Sequence, residues 1–324
     1  MARYARIDRT GGPEEIRWHD EDLAAPGPGQ IRVRHTAVGL NYIDTYHRRG
    51  IYPIELPARL GGEAAGVVEA VGEGVTHLSP GTRIGTFGPA RGAYSTERNM
   101  AAAQAIALPD DIDDRTAAAI LLKGCTAEFL VERCARVQPG QAVLVWAAAG
   151  GVGHLLVGWL RAIDAVVIGV AGGADKCAGV LAAGAYHAID HRAEDVAARV
   201  REITDGAGAP VILDGVGAAS WEASLGAAAR RGLIVSYGNA GGPVTGVSLG
   251  TLSQHGSLFV TRPTLFDFYV TPEERTAGVE RLWEMLRSGA IRPEIGQTFA
   301  LEDSAEAHRA LEAGETRGST VLLP

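Results

Sequence analysis

Hydrophobic and polar positions fall into three textures along the chain. Over residues 1–123 short alternations predict strands: Ile31–Val38 alternates apolar with polar, and Gly66–Gly72 is a second strand bounded by glycines. Pro26, Pro28, Pro53, Pro57 and Pro80 punctuate this part, an irregular β-rich domain whose long loops are expected to carry function. Over residues 124–262 apolar runs alternate with alanine-rich helical segments, the signature of βα units around a parallel sheet. The runs predict strands at Ala142–Trp146, Ala165–Val170, Ala188–Asp190, Val211–Asp214, Leu233–Ser236 and Ser257–Val260. Joined by right-handed helical crossovers, they make an α/β fold with a doubly wound parallel sheet. Over residues 263–324 the texture changes again. Thr271-Pro272-Glu273-Glu274 reads as a capping box opening a helix with Val279, Leu282 and Leu286 on one face. A helix over Ser304–Leu311 and a strand over Thr320–Leu323 follow. This tail is too short to fold alone and is expected to return to the first domain.

The densest motif is Val143-Leu144-Val145-Trp146 running into Ala147-Ala148-Ala149-Gly150-Gly151-Val152-Gly153. Glycines between a strand and a helix let the backbone approach a pyrophosphate, which the amides and dipole of the helix N-terminus attract. Gly150 and Gly153 match the G-x-G-x-x-G fingerprint, while Ala148 stands at its first glycine. A strand–helix packing turn is the alternative, and the βα units that follow favour nucleotide binding. An acid at the tip of the second strand would hold the ribose 2′-hydroxyl of NAD. Here that tip reads Val170-Ala171-Gly172-Gly173-Ala174, with Lys176 close behind and His191-Arg192 leaving the third strand. A cationic corner without a carboxylate predicts NADPH rather than NADH. Asp175 is read as the N-cap or first turn of the next helix, where Lys176 could equally be a solvated residue.

Composition narrows the partners. With 324 residues, 46% hydrophobic, the chain is folded and long enough for two domains. A net charge of −8 with no basic block argues against coating nucleic acid. Cys125, Cys134 and Cys177 fit neither a zinc loop nor a disulfide framework, so a reducing, cytoplasmic setting is expected. The charged N-terminus lacks the apolar core of a signal peptide. Ala142–Leu160 has no acid, lysine or arginine, but its glycines break it into a strand, a turn and a helix, and no membrane association is expected. Of the 30 basic residues only Lys123 and Lys176 are lysines, and bias toward arginine explains that ratio but not where the two sit.

Gly39-Leu40-Asn41-Tyr42-Ile43-Asp44-Thr45-Tyr46, Gly61–Val68, Leu121–Ala127, the glycine turn, Val235–Asn239 and Val260–Pro263 together resemble the zinc-independent quinone oxidoreductases of the medium-chain dehydrogenase/reductase superfamily. The similarity is to the zeta-crystallin type, in its bacterial form, and spans essentially the whole chain. It implies a Rossmann-type domain beside a GroES-like catalytic domain, NADPH as cofactor, hydride reduction of quinones, and a homodimer pairing near Ser257–Val260. Zinc-dependent relatives carry a Cys ligand near Asn41 and a His ligand where Gly62 precedes Glu63. Both are missing here, as is the four-cysteine zinc lobe, so no metal is expected.

The resemblance places Asn41, Tyr46 and Tyr52 at the reacting centre. Around the cofactor it places Asn41, Tyr46, Tyr52, Thr126, Gly150, Gly151, Val152, Lys176, His191, Gly238, Asn239 and Arg262; we add Gly153, Gly172, Gly173, Tyr237 and Arg317. Tyr42, Tyr46 and Tyr52 suit a flat conjugated acceptor, with loop packing as the alternative reading. His191 stands where bacterial relatives often have Tyr. Gly314 stands where they often have an arginine near the 2′-phosphate, and Arg317 is its candidate replacement. Thr82 in Gly81-Thr82-Arg83 replaces a common Asp. Lys123 receives no role. Reduction of the C=C bond of enones is the alternative activity. A cofactor-binding structural or RNA-binding role is the alternative from another class, and the acidic charge counts against it.

Overall fold

Strands β1 (Ala2–Ile7) and β2 (Arg17–Glu21) open the chain as an antiparallel pair. β3 (Gln30–Leu40) leads directly into α1 (Tyr42–Arg49), and β4 (Ala58–Arg59), β5 (Glu63–Val71), β6 (Arg83–Phe87), β7 (Glu97–Ala101) and β8 (Ala105–Ala107) follow. The computed structural model describes all 324 residues. β3 is the spine of a seven-stranded sheet, paired with β5 and β7. Its alternation has a structural origin. Ile31 and Val33 face a core with Val68, Ile84 and Met100, while Arg32 and Arg34 face outward. From Ala37 to Leu40 every residue is buried, because a second core with Leu60, Tyr94 and Leu322 covers the other face there.

α2 (Asp114–Glu128) passes into a π-helical turn, Phe129–Cys134. Then β9 (Ala142–Val145), α3 (Gly151–Ala162), β10 (Val166–Ala171), α4 (Ala174–Ala182), β11 (His187–Asp190), α5 (Val196–Ile203), β12 (Ala209–Asp214), α6 (Trp221–Ala227), β13 (Ala228–Ser236), α7 (Leu249–Gln254) and β14 (Phe259–Thr261) alternate strictly. Their six strands lie parallel in the order β11-β10-β9-β12-β13-β14, the doubly wound arrangement with its switch point beside the first strand. All six predicted strands are present, and β13 begins earlier than its apolar run, at Ala228. The uncharged Ala142–Leu160 stretch divides into β9, the turn and α3, and no helix is long and apolar enough to cross a membrane.

α8 (Leu265–Phe268) and α9 (Pro272–Arg287) come next, and α9 opens on the expected capping box: Thr271 Oγ1 accepts the Glu274 N–H and Glu274 Oε2 accepts the Thr271 N–H. β15 (Ile295–Ala300), α10 (Ser304–Glu312) and β16 (Ser319–Leu323) end the chain. Met1–Leu122 and Pro293–Pro324 form one unit, Lys123–Arg292 the other. The return therefore begins at 293 rather than 263. α9 stays with the parallel sheet because Leu282 packs where a side chain on Gly124 would go, and Glu132 accepts from both Trp159 Nε1 and Arg281 Nε at 2.9 Å.

Candidate functional site

In the unit built on the parallel sheet, the predicted cofactor residues gather at the C-terminal ends of the strands. The turn after β9 places Ala147 at φ 52°, so the left-handed position precedes Ala148, and an alanine can occupy the site of the missing first glycine. Gly150 caps α3 in extended conformation with no side chain to fold back on the helix. The amides of Gly151, Val152 and Gly153 are thus presented as a helix N-terminus without internal acceptors. A Cβ on Gly153 would lie 2.2 Å from the Ala147 carbonyl oxygen, which makes glycine obligatory there.

β10 ends at Ala171, and a Cβ on Gly172 would come within 2.9 Å of both His191 Nε2 and Arg192 Nε. Gly173, at φ 95°, is the N-cap of α4, so Asp175 lies in the first turn and is not the cap. Lys176 stands in that same turn. Asp190 is held by backbone: its Oδ1 accepts the N–H groups of Gly173 at 2.9 Å and Arg192 at 3.0 Å, and these bonds keep its carboxyl below the usual range. Arg192, which the sequence puts at the strand end without assigning it to the site, therefore joins His191 over Gly172.

At the end of β13, Tyr237 N–H donates to the Asp214 carbonyl, and Gly238 sits so close to Gly215 that a Cβ would be 2.2 Å from its carbonyl oxygen. Arg262 donates from Nη1 to the Ser236 carbonyl at 2.6 Å and from Nη2 to the Asn239 amide oxygen at 3.0 Å. It braces the loop that carries Tyr237, Gly238 and Asn239. Asp214 is a residue the sequence reading missed. Its buried carboxylate accepts from the Val216 and Gly217 amides and the Ser220 and Ser224 hydroxyls, locking the neighbouring turn.

In the other unit, Asn41 is the N-cap of α1 and its N–H donates to Asp44 Oδ2 at 2.9 Å. Its Nδ2 donates to Glu63 Oε2 at 2.8 Å, and Glu63 Oε1 accepts the Leu122 N–H at 2.7 Å. Glu63 is wholly buried and orients Asn41, a role no local pattern announced. Tyr46 packs between Tyr42 and Tyr52, with ring centroids 5.9 and 5.3 Å away. The Tyr42 hydroxyl donates to the Leu311 carbonyl, which gives that tyrosine the packing role. His47 stacks edge-on against Tyr52, and burial together with the Arg91 charge lowers its pKa to about 4. Thr126 lies in α2 and Arg317 in the loop between α10 and β16. The Arg317 N–H donates to Gln297 Oε1. No group of three or more His, Cys, Asp or Glu is placed to hold a metal.

The description "Alcohol dehydrogenase GroES-like domain" fits residues 27–133 and "Zinc-binding dehydrogenase" fits residues 183–322. The chain is 47% identical to the quinone oxidoreductase of Pseudomonas aeruginosa over the full length of both, and 40% identical to a 2-haloacrylate reductase from Burkholderia over 100% of this chain and 99% of that one. The crystal structure of Escherichia coli quinone oxidoreductase complexed with NADPH superposes with a TM-score of 0.97 at 42% identity, covering 99% of this chain and 100% of the other. With 47% identity sustained from end to end and a backbone that superposes at a TM-score of 0.97, the chain belongs to the quinone oxidoreductase family of the medium-chain dehydrogenases/reductases.

Proposed function

We propose that this protein reduces quinones with NADPH. The observation that carries the reading is the corner at Gly172: β10 ends without an acid, the Asp190 carboxylate at the end of β11 is engaged by the Gly173 and Arg192 amides, the His191 and Arg192 side chains close over Gly172, and Lys176 stands in the adjoining helical turn. These residues fit a 2′-phosphate, and the α3 amides fit the pyrophosphate. NADPH, when bound, supplies the hydride. Lys176, His191 and Arg192 hold its 2′-phosphate, Gly150–Gly153 its pyrophosphate, and Asp214 and Arg262 fix the Tyr237–Asn239 loop. Tyr52, half-buried and backed by the buried Tyr46 ring, offers a ring to a flat acceptor, and Asn41 is oriented by Glu63. A quinone disperses the negative charge that hydride addition creates, so it needs neither a Lewis acid nor a dedicated acid group. Asn41 and Gly62 supply no zinc ligands, and the reaction is read as zinc-independent.

β14 is an edge strand with Phe259 and Val260 exposed, and on this edge we place a second copy of the chain. We read the protein as cytoplasmic, on the spacing of Cys125, Cys134 and Cys177, which fits no disulfide framework. The test is NADPH and NADH oxidation with 1,4-naphthoquinone, a simple enone and 2-chloroacrylate. The expected result is turnover of the quinone with NADPH preferred at least tenfold. Turnover of the alkenes alone would transfer the reading to C=C reduction, and no turnover with any acceptor would sink both. A monomer by light scattering would remove the dimer.

A further inference from the structure

One buried network in the first unit is unused by the reading above. Arg48, on α1, donates from Nη2 to both Glu312 carboxylate oxygens at 2.8 Å, from Nε to the Gly11 carbonyl, and from Nη1 to His308 Nδ1 at 3.4 Å. His308 Nε2 lies 2.9 Å from the Tyr94 hydroxyl, which donates to Asp44 Oδ2 at 3.2 Å. Asp44 in turn accepts the Asn41 N–H. Arg48, His308, Tyr94 and Asp44 are each at most 1% exposed.

Chemistry permits one direction of donation. A guanidinium has no acceptor, so His308 Nδ1 must accept from Arg48. Burial, with the Arg48 charge, keeps the imidazole neutral, so its proton is on Nε2 and points to the Tyr94 oxygen. The phenol proton is then directed to Asp44. The network grips α1 at both ends: Asp44 and Tyr94 hold its N-terminus, while Arg48, His308 and Glu312 tie its last turn to α10. Tyr46 lies between the two grips, and Asn41 stands at the first.

We propose that Tyr94 and His308 are positioning residues for the reduction: wholly buried and out of reach of any ligand, they set Asn41 and Tyr46 through this oriented relay. The proposal rests on the quinone reductase reading. Its test uses full-length Tyr94→Phe, His308→Gln and His308→Leu. Glutamine can accept from Arg48 and donate to Tyr94, whereas leucine can do neither. Expected for Tyr94→Phe and His308→Leu are a fivefold or greater loss of kcat with 1,4-naphthoquinone and a NADPH Kd within twofold of wild type, read from tryptophan fluorescence. His308→Gln should retain kcat within twofold. Amide hydrogen exchange should quicken over residues 41–48 in the two damaged variants, with the parallel sheet unchanged. That readout does not depend on turnover, so an inactive wild type would sink the activity reading and leave the relay on trial. Wild-type kcat and wild-type exchange over 41–48 in Tyr94→Phe would overturn the relay, as would equal losses in the Gln and Leu variants.

Discussion

Acidification should unfold this protein through two histidines in its first unit. His35 is buried in β3, with Nδ1 2.7 Å from the Ser95 carbonyl and the Arg98 guanidinium nearby; His308 is buried against Arg48 and Tyr94. Burial, aided by the neighbouring arginine in each case, lowers both pKa values from 6.5 to about 3. Between those values the unfolded chain binds protons that the native chain refuses, so stability is full above pH 6.5, falls as the pH drops, and levels near pH 3. At pH 5 each histidine removes about 2 kcal/mol, and the pair about 4 kcal/mol, a large part of the stability of an ordinary domain. Urea unfolding followed by circular dichroism at pH 7.5, 6 and 5 measures the loss. Carboxylates contribute to the same fall, so the variants isolate the histidines: His35→Gln and His308→Gln, each less stable than wild type at pH 7.5, should each lose about 2 kcal/mol less on going to pH 5. An unchanged pH dependence in both variants would refute the assignment.

Three further outcomes follow from the other unit. Gly153→Ala forces a side chain against the Ala147 carbonyl and should abolish measurable NADPH binding while leaving the GroES-like unit folded by circular dichroism and hydrogen exchange. Arg192→Gln and Lys176→Ala should each weaken 2′,5′-ADP roughly tenfold and leave ADP within twofold in titration calorimetry, and equal losses for the two ligands would remove that residue from the phosphate corner. Asp214→Asn replaces an acceptor of four donors by an amide and should cost about 2 kcal/mol in urea unfolding, with a raised KM for NADPH from the loosened Tyr237 loop.

What the sequence made legible was local. β9, β10 and β12 are buried on both faces and read as unbroken apolar runs, and the Thr271–Glu274 box marks a helix start within four residues. β13 was shortened because Arg230 and Arg231 face outward in its first half and interrupt the run. The late return at Pro293 depended on Leu282 meeting Gly124, a contact between residues far apart in the chain that periodicity cannot register. The site divides the same way. The glycine turn and the missing strand-end acid were visible as patterns, whereas Glu63 and Asp214 are lone buried acids recognisable only once their donors are in place. Arg262 was expected among the cofactor contacts, and the structure gives it two bonds, to Ser236 and Asn239, that brace the loop.

The bare backbone at Gly172 has a consequence for how coenzyme preference can change. Because His191 Nε2 and Arg192 Nε lie 2.9 Å from where a Cβ would stand, Gly172→Asp would set a carboxylate against both nitrogens, engaging them in place of a 2′-phosphate. Here a single codon stands between the two chemistries, so this corner is the place where drift or selection could convert the protein to NADH.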